Sequence, residues 1–491
     1  MESLRQMLTL LSNKTGKDNM QNNYLRISFF LFYITAFFSL KAQTNFSFEE
    51  ICSIGLPVVS ISTVNGEEPT CDFISHPEGS MGESITNATK VPCRITITDK
   101  NKTVIYDSGE YEKNVSGAII KINGNTSAYR DNKPYKLKLE VKDDLLNRGD
   151  GKYKDKEWRL LKDARTLNTM IGLKMNELIG LPWTPAYMPC NVMINDDYRG
   201  CYLLIESVKR NSDCRLDVDK ETGFIIERDP YWWNETTFFP TDYFSTSNAY
   251  RWTWKYPDQD KLTEEQTLSV QTFMNQVEKS IKDGDYDQYI DVNTFAAWLL
   301  AHNILGTWDS GGSNLFVMRH DDHALLQMAN MWDFDTSFTM DANSFSRYHT
   351  GTSDFYFPLL LSNSNPAFLH AYKSKWEDIK DLIPQQIIDF VKSFGESEEG
   401  KALQISREYY DKRWRQRLPT IEENINSLIE WFTNHIPYLD ATIQNIPEET
   451  NYISQIYNPT PAVIYDLQGR PVLAPKKNRI YIIDGKKVLV Q

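Results

Sequence analysis

Apolar and polar residues alternate along the part of the chain that follows residue 56. Between residues 135 and 141 the odd-numbered positions are apolar or aromatic and the even-numbered positions are charged. A period of two residues is typical of a β-strand that has one buried and one exposed face. Further β-type runs, separated by Asn, Gly and Asp turns, occupy residues 56–122 and predict a β-rich N-terminal region.

Helical periodicity dominates the later part of the chain. Apolar side chains recur every three or four positions in residues 166–179, and Gly180 follows as a typical helix stop. Thr263 and Gln266 have the spacing of a capping box, which predicts that a helix begins there. Residues 366–442 also have a mostly helical pattern. Strands followed by a long run of helices predict a fold of the α+β class.

The first 42 residues have the pattern of a targeting segment. Arg26 precedes an apolar run at residues 27–40, and Ala42 offers a small residue at a cleavage site. The run is shorter than the roughly 20 residues that a membrane-spanning helix needs. We therefore interpret residues 1–42 as an export signal and expect a mature chain without a transmembrane helix. The expected location is the periplasm, the outer-membrane surface or the extracellular space.

The C-terminal part has a different composition from the rest of the chain. Residues 446–459 are rich in Pro, Asn and Glu and are predicted to be a linker. Residues 460–491 form a small β unit in which Asp484-Gly485 gives a strong hairpin signal. This unit resembles the C-terminal sorting domains of proteins exported across a bacterial outer membrane, which implies the export machinery as a partner. A purely structural β appendage is the alternative interpretation.

The charge of the chain limits the classes of partner. The formal net charge is −13 at pH 7. Because a nucleic-acid-binding surface must be basic, this balance argues against nucleic acid as a partner.

Six cysteines in an exported chain permit disulfides. A turn at Asn195-Asp196 would place Cys190 opposite Cys201 in a hairpin, and we predict a disulfide between these two. The pairing of the other four cysteines stays open, and their spacing is not that of a zinc site.

One short segment concentrates groups suited to metal binding and proton transfer. Asn314 follows Asp309 by five positions, and residues 315–328 then predict a β-hairpin. The hairpin would return Asp333 and Asp335 to the end where Asn314 lies. Carboxylate and amide oxygens suit Mg²⁺ or Mn²⁺, and phosphoryl transfer requires charges placed around a triphosphate. Ordinary turn residues and surface carboxylates are the alternative interpretation.

The segment resembles the core of the spore coat protein H (CotH) kinase family, a divergent branch of the protein-kinase-like fold. Ser313 stands where this family usually has His, and Thr339 stands where a Gly is frequent. The resemblance covers residues 56–439. Its motifs are Lys133-Pro134-Tyr135-Lys136-Leu137-Lys138-Leu139, Trp158-Arg159-Leu160-Leu161, Gly200-Cys201-Tyr202-Leu203-Leu204-Ile205-Glu206, Lys255-Tyr256-Pro257-Asp258, Trp308-Asp309-Ser310, Asn314 and Trp332-Asp333-Phe334-Asp335-Thr336-Ser337-Phe338.

The resemblance implies a two-lobed atypical protein-kinase-like fold with a small C-terminal β domain. The predicted parts are an export signal (1–42), a β-rich leading region (43–122), a small lobe (123–210), a large lobe (211–445), a linker (446–459) and the sorting-like domain (460–491).

The resemblance also implies roles for individual residues. Asp309 would be the base that accepts the proton of the substrate hydroxyl. Lys138, with Lys136 as its nearest competitor, would bind the phosphates of ATP, and Glu206 would lie at the nucleotide-binding hinge between the lobes. The implied ligands of Mg²⁺ or Mn²⁺ are Asn314, Asp333 and, as a second carboxylate, Asp335.

The expected function is a secreted kinase that transfers the γ-phosphoryl group of ATP to Ser or Thr of an extracytoplasmic protein or of the chain itself. An alternative is a surface binding or adhesion protein that keeps the fold without catalysis, which the departure at Ser313 favours. A metal-dependent hydrolase is a third interpretation, although the sequence has no evident set of His ligands.

Overall fold

The computed structural model describes residues 46–77, 80, 85–242, 250–307, 314–338, 355–448, 479–483 and 486–490. The predicted export signal, most of the predicted linker, Asp309, Ser313 and Thr339 lie outside these ranges. None of the helices in these ranges has both the length and the apolar character needed to cross a membrane.

Residues 58–206 contribute the strands of a closed barrel. In the described part of the chain, seven strands follow the order β1-β9-β10-β8-β7-β6-β4, and β4 pairs back onto β1. β5 adds to the outside of β4, and β2 and β3 form a separate hairpin. The strands are β1 (Val58–Thr63), β2 (Cys71–Ile74), β3 (Ile85–Ala88), β4 (Val91–Thr98), β5 (Val104–Asp107), β6 (Ala118–Ile122), β7 (Tyr135–Asp143), β8 (Asp155–Leu161), β9 (Tyr187–Ile194) and β10 (Asp197–Glu206).

Alternating apolar residues fill the barrel interior. On β7, Tyr135, Leu137 and Leu139 are buried in the interior cluster with Trp158 of β8, as the sequence pattern predicts. Val141 departs from the prediction and is 54% exposed. The register between β7 and β8 shifts after Lys138, so the predicted apolar face does not continue to the end of the strand.

Barrel closure is a feature that the sequence did not predict. The mixed helix and strand content agrees with the α+β class. The barrel, however, takes strands both from the predicted leading region (43–122) and from the predicted small lobe (123–210). It closes because β1 pairs with two strands that are distant in sequence, antiparallel to β4 and parallel to β9.

The predicted disulfide between Cys190 and Cys201 is wrong. A β-bulge between Tyr198 and Gly200 shifts the hairpin register by one residue, so Cys190 pairs with Tyr202 instead. Because side chains alternate between the two faces of a strand, this shift sends the two cysteines to opposite faces. Cys190 lies in the barrel interior, Cys201 lies in the core outside it, and all six cysteines are free thiols.

A second sheet and the helices build the rest of the molecule. Five strands in the order β12-β13-β11-β14-β15 form this sheet, and β16 pairs with β17 at the predicted C-terminal hairpin. The strands are β11 (Phe224–Asp229), β12 (Phe238–Phe239), β13 (Arg251–Tyr256), β14 (Leu315–Arg319), β15 (Leu326–Met328), β16 (Arg479–Ile483) and β17 (Lys486–Val490).

The described helices pack mainly around one central helix. They are α1 (Phe48–Cys52), α2 (Asn168–Ile179), α3 (Glu264–Asp283), α4 (Val292–Leu305), α5 (Phe357–Leu361), α6 (Ala367–Ile379), α7 (Leu382–Glu396), α8 (Glu398–Trp414) and α9 (Ile421–Gln444). Every residue of α4 from 295 to 305 is buried, which explains why this part of its sequence is apolar except for His302 and Asn303. The capping box of Thr263 and Gln266 starts α3, as predicted.

The described residues form three hydrophobic cores. One fills the barrel, and the largest joins the outer face of the barrel to α2, the second sheet and the helices. The third is small and includes Ile225 of β11 with Phe316 and Met318 of β14. α2 therefore shares one core with the β14–β15 hairpin, which carries the predicted site residues.

Candidate active site

The β14–β15 hairpin places Asn314 and Asp333 at one end. Asn314 directly precedes β14, and Asp333 follows β15 after a short connection. The two strands are antiparallel, so the start of one and the end of the other lie together. The backbone φ angles of Asn314 and Asp333 are 57° and 62°. Asn and Asp adopt this left-handed conformation with less strain than most residues.

One face of α2 holds the segment after β15. The side chain of Asn168 donates hydrogen bonds to the carbonyls of Phe334 (3.3 Å) and Ser337 (2.9 Å). One helical turn on, Gly172 contacts the ring of Phe334, and after another turn the Asn176 side chain accepts a hydrogen bond from the Met331 amide at 2.8 Å. We call these three α2 residues the anchor face. It fixes the backbone on both sides of Asp333.

A cavity lies between the barrel and this anchored segment. The turn at Asn123 and Gly124 and the 332–335 segment both line it. Gly124 has a φ of 79°, and a side chain there would collide with Ser127. The complete lining is Asn123, Gly124, Ser127, Pro134, Leu161, Lys162, Thr169, Leu173, Ile205, Trp332, Asp333, Phe334 and Asp335. The cavity thus brings two of the predicted metal ligands, Asp333 and Asp335, to one surface.

Lys162 is a cavity residue that the sequence analysis missed. Its side chain is 6% exposed, and its ammonium group donates to the carbonyls of Ser127 (3.0 Å) and Asn132 (3.5 Å). It lies at the end of β8 and lines the same cavity as Asp333 and Asp335. An ammonium group beside carboxylates suits a site that binds phosphates together with a divalent cation. The sequence feature that could have identified Lys162 is its position directly after the motif at residues 158–161.

Lys136 and Lys138, the predicted phosphate-binding residues, do not line this cavity. Lys138 is exposed on the outside of β7. Lys136 is partly buried and forms an ion pair with Glu157 at 2.7 Å, and Lys209 pairs with the same carboxylate at 3.1 Å. Burial lowers the pKa of Lys136 to about 8, although the Glu157 charge opposes the shift.

Glu206 occupies a fully buried position at the end of β10. Its carboxylate accepts hydrogen bonds from Arg148 and from the Ala186 amide, both at 2.9 Å, and Arg215 lies 3.9 Å away. These partners occupy both carboxylate oxygens, as expected for a group that stabilises the strand end. The nucleotide-binding role of Glu206 stays a prediction.

The ion pairs of Glu157 predict a pH dependence of stability. Burial alone would raise the pKa of Glu157, but the ammonium groups of Lys136 and Lys209 lower it from 4.5 to about 2. Because the folded-state pKa is depressed, the stabilisation is present above pH 4.5 and is lost as the pH falls toward 2. We expect the difference in free energy of unfolding between the wild type and Glu157→Gln to shrink by about 2 kcal/mol between pH 5 and pH 3.

Urea unfolding of the wild type and the variant at both pH values measures this change. The other carboxylates contribute equally to the pH dependence of both proteins, so their contribution cancels in the difference. A difference that stays constant over this range would contradict the assigned ion pairs.

The donor atoms at the candidate metal site are all oxygens. Asp333 and Asp335 supply carboxylates, and Asn314 supplies an amide at the same end of the hairpin. Mg²⁺ and Mn²⁺ prefer such hard donors and usually bind through only one or two carboxylates together with substrate phosphates. The described residues contain no cluster of three or more His, Cys, Asp or Glu side chains that could hold a metal ion. The residues present therefore fit a divalent cation that binds together with a nucleotide.

Comparison with known proteins gives one family match. A family model described as CotH kinase protein matches residues 120–439, from within β6 to within α9. The matched range includes Asp309, Asn314, Lys162 and the 332–335 segment. No curated protein matches the chain.

Proposed function

Since this chain belongs to the CotH kinase family, we propose that it transfers the γ-phosphoryl group of ATP to a Ser or Thr hydroxyl of a protein. One observation carries the proposal, namely that Lys162, Asp333 and Asp335 line a single cavity within the matched residues. The resemblance at Asp309 and Asn314 supplies the remaining groups that this chemistry requires.

Each residue has a separate role in the proposed reaction. Asp309 orients the acceptor hydroxyl and takes its proton, while the hydroxyl oxygen bonds to the γ-phosphorus and ADP departs with the bridging oxygen. Asn314 and Asp333 hold Mg²⁺ or Mn²⁺, with Asp335 as a further ligand. A cation held by these residues would supply positive charge at the phosphates. Lys162 donates hydrogen bonds to the phosphates from the barrel side.

We propose that the reaction takes place outside the cytoplasm, on an exported protein or on the chain itself. The export signal at residues 1–42 and the C-terminal β unit support this location. The paired strands β16 and β17 would be part of the region that the export machinery recognises.

A surface binding protein without catalysis is the second candidate function. The replacement of the usual family His by Ser313 favours it. This candidate predicts binding to a cell-surface or extracellular partner in the absence of nucleotide, and no stabilisation of the chain by ATP.

Transfer of label from γ-labelled ATP by the mature chain tests the proposed function. We expect label on protein in the presence of Mg²⁺ or Mn²⁺, loss of transfer with a chelator, and a higher melting temperature with ATP and metal. Neither label nor a nucleotide-dependent change in melting temperature would favour the binding protein instead.

Lysine variants identify the phosphate-binding group. We expect Lys162→Met to raise the KM for ATP by about tenfold or more, because a charge-assisted hydrogen bond to phosphate is lost. Lys138→Met, on the exposed outer face of β7, is the matched control and is expected to leave the KM unchanged. Lys162→Arg should recover part of the affinity. If Lys138→Met alone raised the KM, the phosphate-binding role would belong to the residue first predicted from sequence.

A further inference from the structure

A second cavity of about 430 Å³ opens beside the first. The two cavities share Ser127, Lys162 and Asp335, so they lie next to each other at the proposed phosphate end. We call the second one the acceptor cavity. Its lining is Thr126, Ser127, Arg130, Asp131, Asn132, Lys162, Arg165, Asp335, Tyr410, Trp414 and Gln416.

Arg130 and Arg165 line the acceptor cavity together with two carboxylates, Asp131 and Asp335. Neither Arg130 nor Arg165 forms an ion pair with a carboxylate among the described residues, whereas Arg148 and Arg199 both do. Arg165 instead donates through Nε to the carbonyl of Lys162 at 2.9 Å. Arginine binds carboxylates through two parallel hydrogen bonds. Arg165 also forms a hydrogen bond with Tyr410, and both arginines keep a positive charge for an anionic ligand.

Asn132 adds a hydrogen-bond acceptor to the same cavity. Its side chain is 4% exposed, and its amide nitrogen donates to the Arg199 carbonyl (2.9 Å) and to the Tyr202 hydroxyl (2.8 Å). Its Oδ1 atom has no hydrogen-bond partner in the part of the chain that the structure describes. A buried acceptor requires an N–H or O–H donor. Inorganic phosphate offers mainly acceptors, whereas a polypeptide offers backbone N–H groups.

Two aromatic residues, Tyr410 and Trp414, also line the acceptor cavity and are fixed to the barrel. Trp414 at the end of α8 donates its indole N–H to the Arg199 carbonyl at 2.9 Å. Arg413 forms an ion pair with Asp197 at 2.9 Å. Tyr410 packs so closely on Gly200 that a side chain at position 200 would lie 2.7 Å from its ring. Flat aromatic side chains held in this way provide a surface for an extended peptide.

We propose that the acceptor cavity binds the polypeptide segment that carries the acceptor hydroxyl, and that Asp or Glu residues flank this hydroxyl. The proposal rests on the proposed kinase function. Arg130 and Arg165 bind the flanking carboxylates, Asn132 accepts a backbone N–H, and the cavity ends at Asp335 where phosphoryl transfer takes place. The overall charge of −13 repels an acidic peptide, so a preference for one requires a local basic site.

Binding of three fluorescent peptides tests the proposal independently of catalysis. The peptides have one Ser flanked by Glu, by Ala or by Lys, and fluorescence anisotropy with the full chain gives their dissociation constants. We expect the Glu peptide to bind about tenfold more tightly than the Ala peptide and the Lys peptide to bind most weakly. Equal affinity for the three peptides, or tighter binding of the Lys peptide, overturns the proposal.

Charge reversal at Arg130 locates the binding site. Arg130 is exposed, so Arg130→Glu is expected to fold, and it should remove the preference for the Glu peptide while leaving the KM for ATP unchanged. Arg165→Gln should weaken binding of the same peptide. Lys113→Glu, an equal charge change at an exposed turn, is the matched control. A higher KM for ATP in Arg130→Glu with an unchanged peptide preference would overturn the proposal, because the cavity would then belong to the nucleotide.

The two readouts separate this inference from the proposed function. Tight, Arg130-dependent binding of the Glu peptide without label transfer would support the acceptor cavity and contradict the kinase activity. Label transfer with no preference among the peptides would support the kinase activity and overturn the inference.

Discussion

Replacing Asp333 with asparagine is expected to reduce phosphoryl transfer by about a thousandfold or more while leaving the fold intact. The substitution keeps the size of the side chain and removes only its negative charge. Asparagine tolerates the left-handed backbone of this position, where φ is 62°. The loss of rate would therefore report the loss of a charged ligand at the site, without a change in backbone conformation.

Single-turnover transfer from γ-labelled ATP measures the rate, and titration with Mn²⁺ in the presence of nucleotide measures metal affinity. Asp322→Asn is the matched control. Asp322 is an exposed carboxylate in the turn that joins β14 to β15, at the end of the hairpin far from Asp333. We expect this control to behave as the wild type. If Asp333→Asn kept the full rate with unchanged metal affinity, Asp333 would have no role as a ligand.

Gly172→Ala is expected to destabilise the protein by about 1–3 kcal/mol and to reduce transfer by about a hundredfold. In most helices this substitution is stabilising, because alanine has a higher helix propensity than glycine. Here the new methyl group would lie 2.1 Å from the ring of Phe334. The ring must move, and Asp333 and Asp335 on either side of it would move as well.

Urea unfolding and label transfer measure the two effects of Gly172→Ala. Gly151→Ala is the matched control, since nothing lies within 4 Å of the added methyl group. Phe334→Leu in the Gly172→Ala background should recover part of both losses, because leucine is smaller than phenylalanine. Normal stability and rate in Gly172→Ala would mean that the contact with Phe334 does not fix the site.

Local patterns predicted the elements of this fold but not the barrel. The alternation at residues 135–139 and the capping box at Thr263 and Gln266 depend only on residues near in sequence, and both agree with the structure. Barrel closure depends on the pairing of β1 with β4 and β9, which are distant along the chain. A strand of an open sheet has the same alternation as a strand of a closed barrel, so the period alone does not distinguish them.

The bulge at Gly200 illustrates the same limit in the hairpin of Cys190 and Cys201. Counting outward from the turn assumes a regular ladder, and a single inserted residue reverses the outcome. A glycine within a strand pattern is the sequence feature that can indicate such a bulge.

The sequence predicted the parts of the candidate site that depend on residues close together in the chain. The hairpin and the positions of Asn314 and Asp333 at its end follow from the sequence and agree with the structure. The sequence did not predict which lysine lines the cavity. The alternation of residues on β7 predicts that its lysines face away from the barrel interior, but it does not show which groups they face. Lys162 lies beyond the regular part of β8, and only the folded chain brings it to the same cavity as Asp333.

The anchor face of α2 has a thermodynamic consequence. Asn168, Gly172 and Asn176 hold the 331–337 segment on one side of the helix, while the ion pair of Lys174 and Glu177 lies on the solvent side. If the site binds a divalent cation as proposed, a macromolecule that binds the solvent side and shifts α2 would change the affinity of the site for that cation. Because binding free energies are reciprocal, the cation would change the affinity for that macromolecule by the same factor. α2 thus joins two surfaces of the molecule in one linked equilibrium.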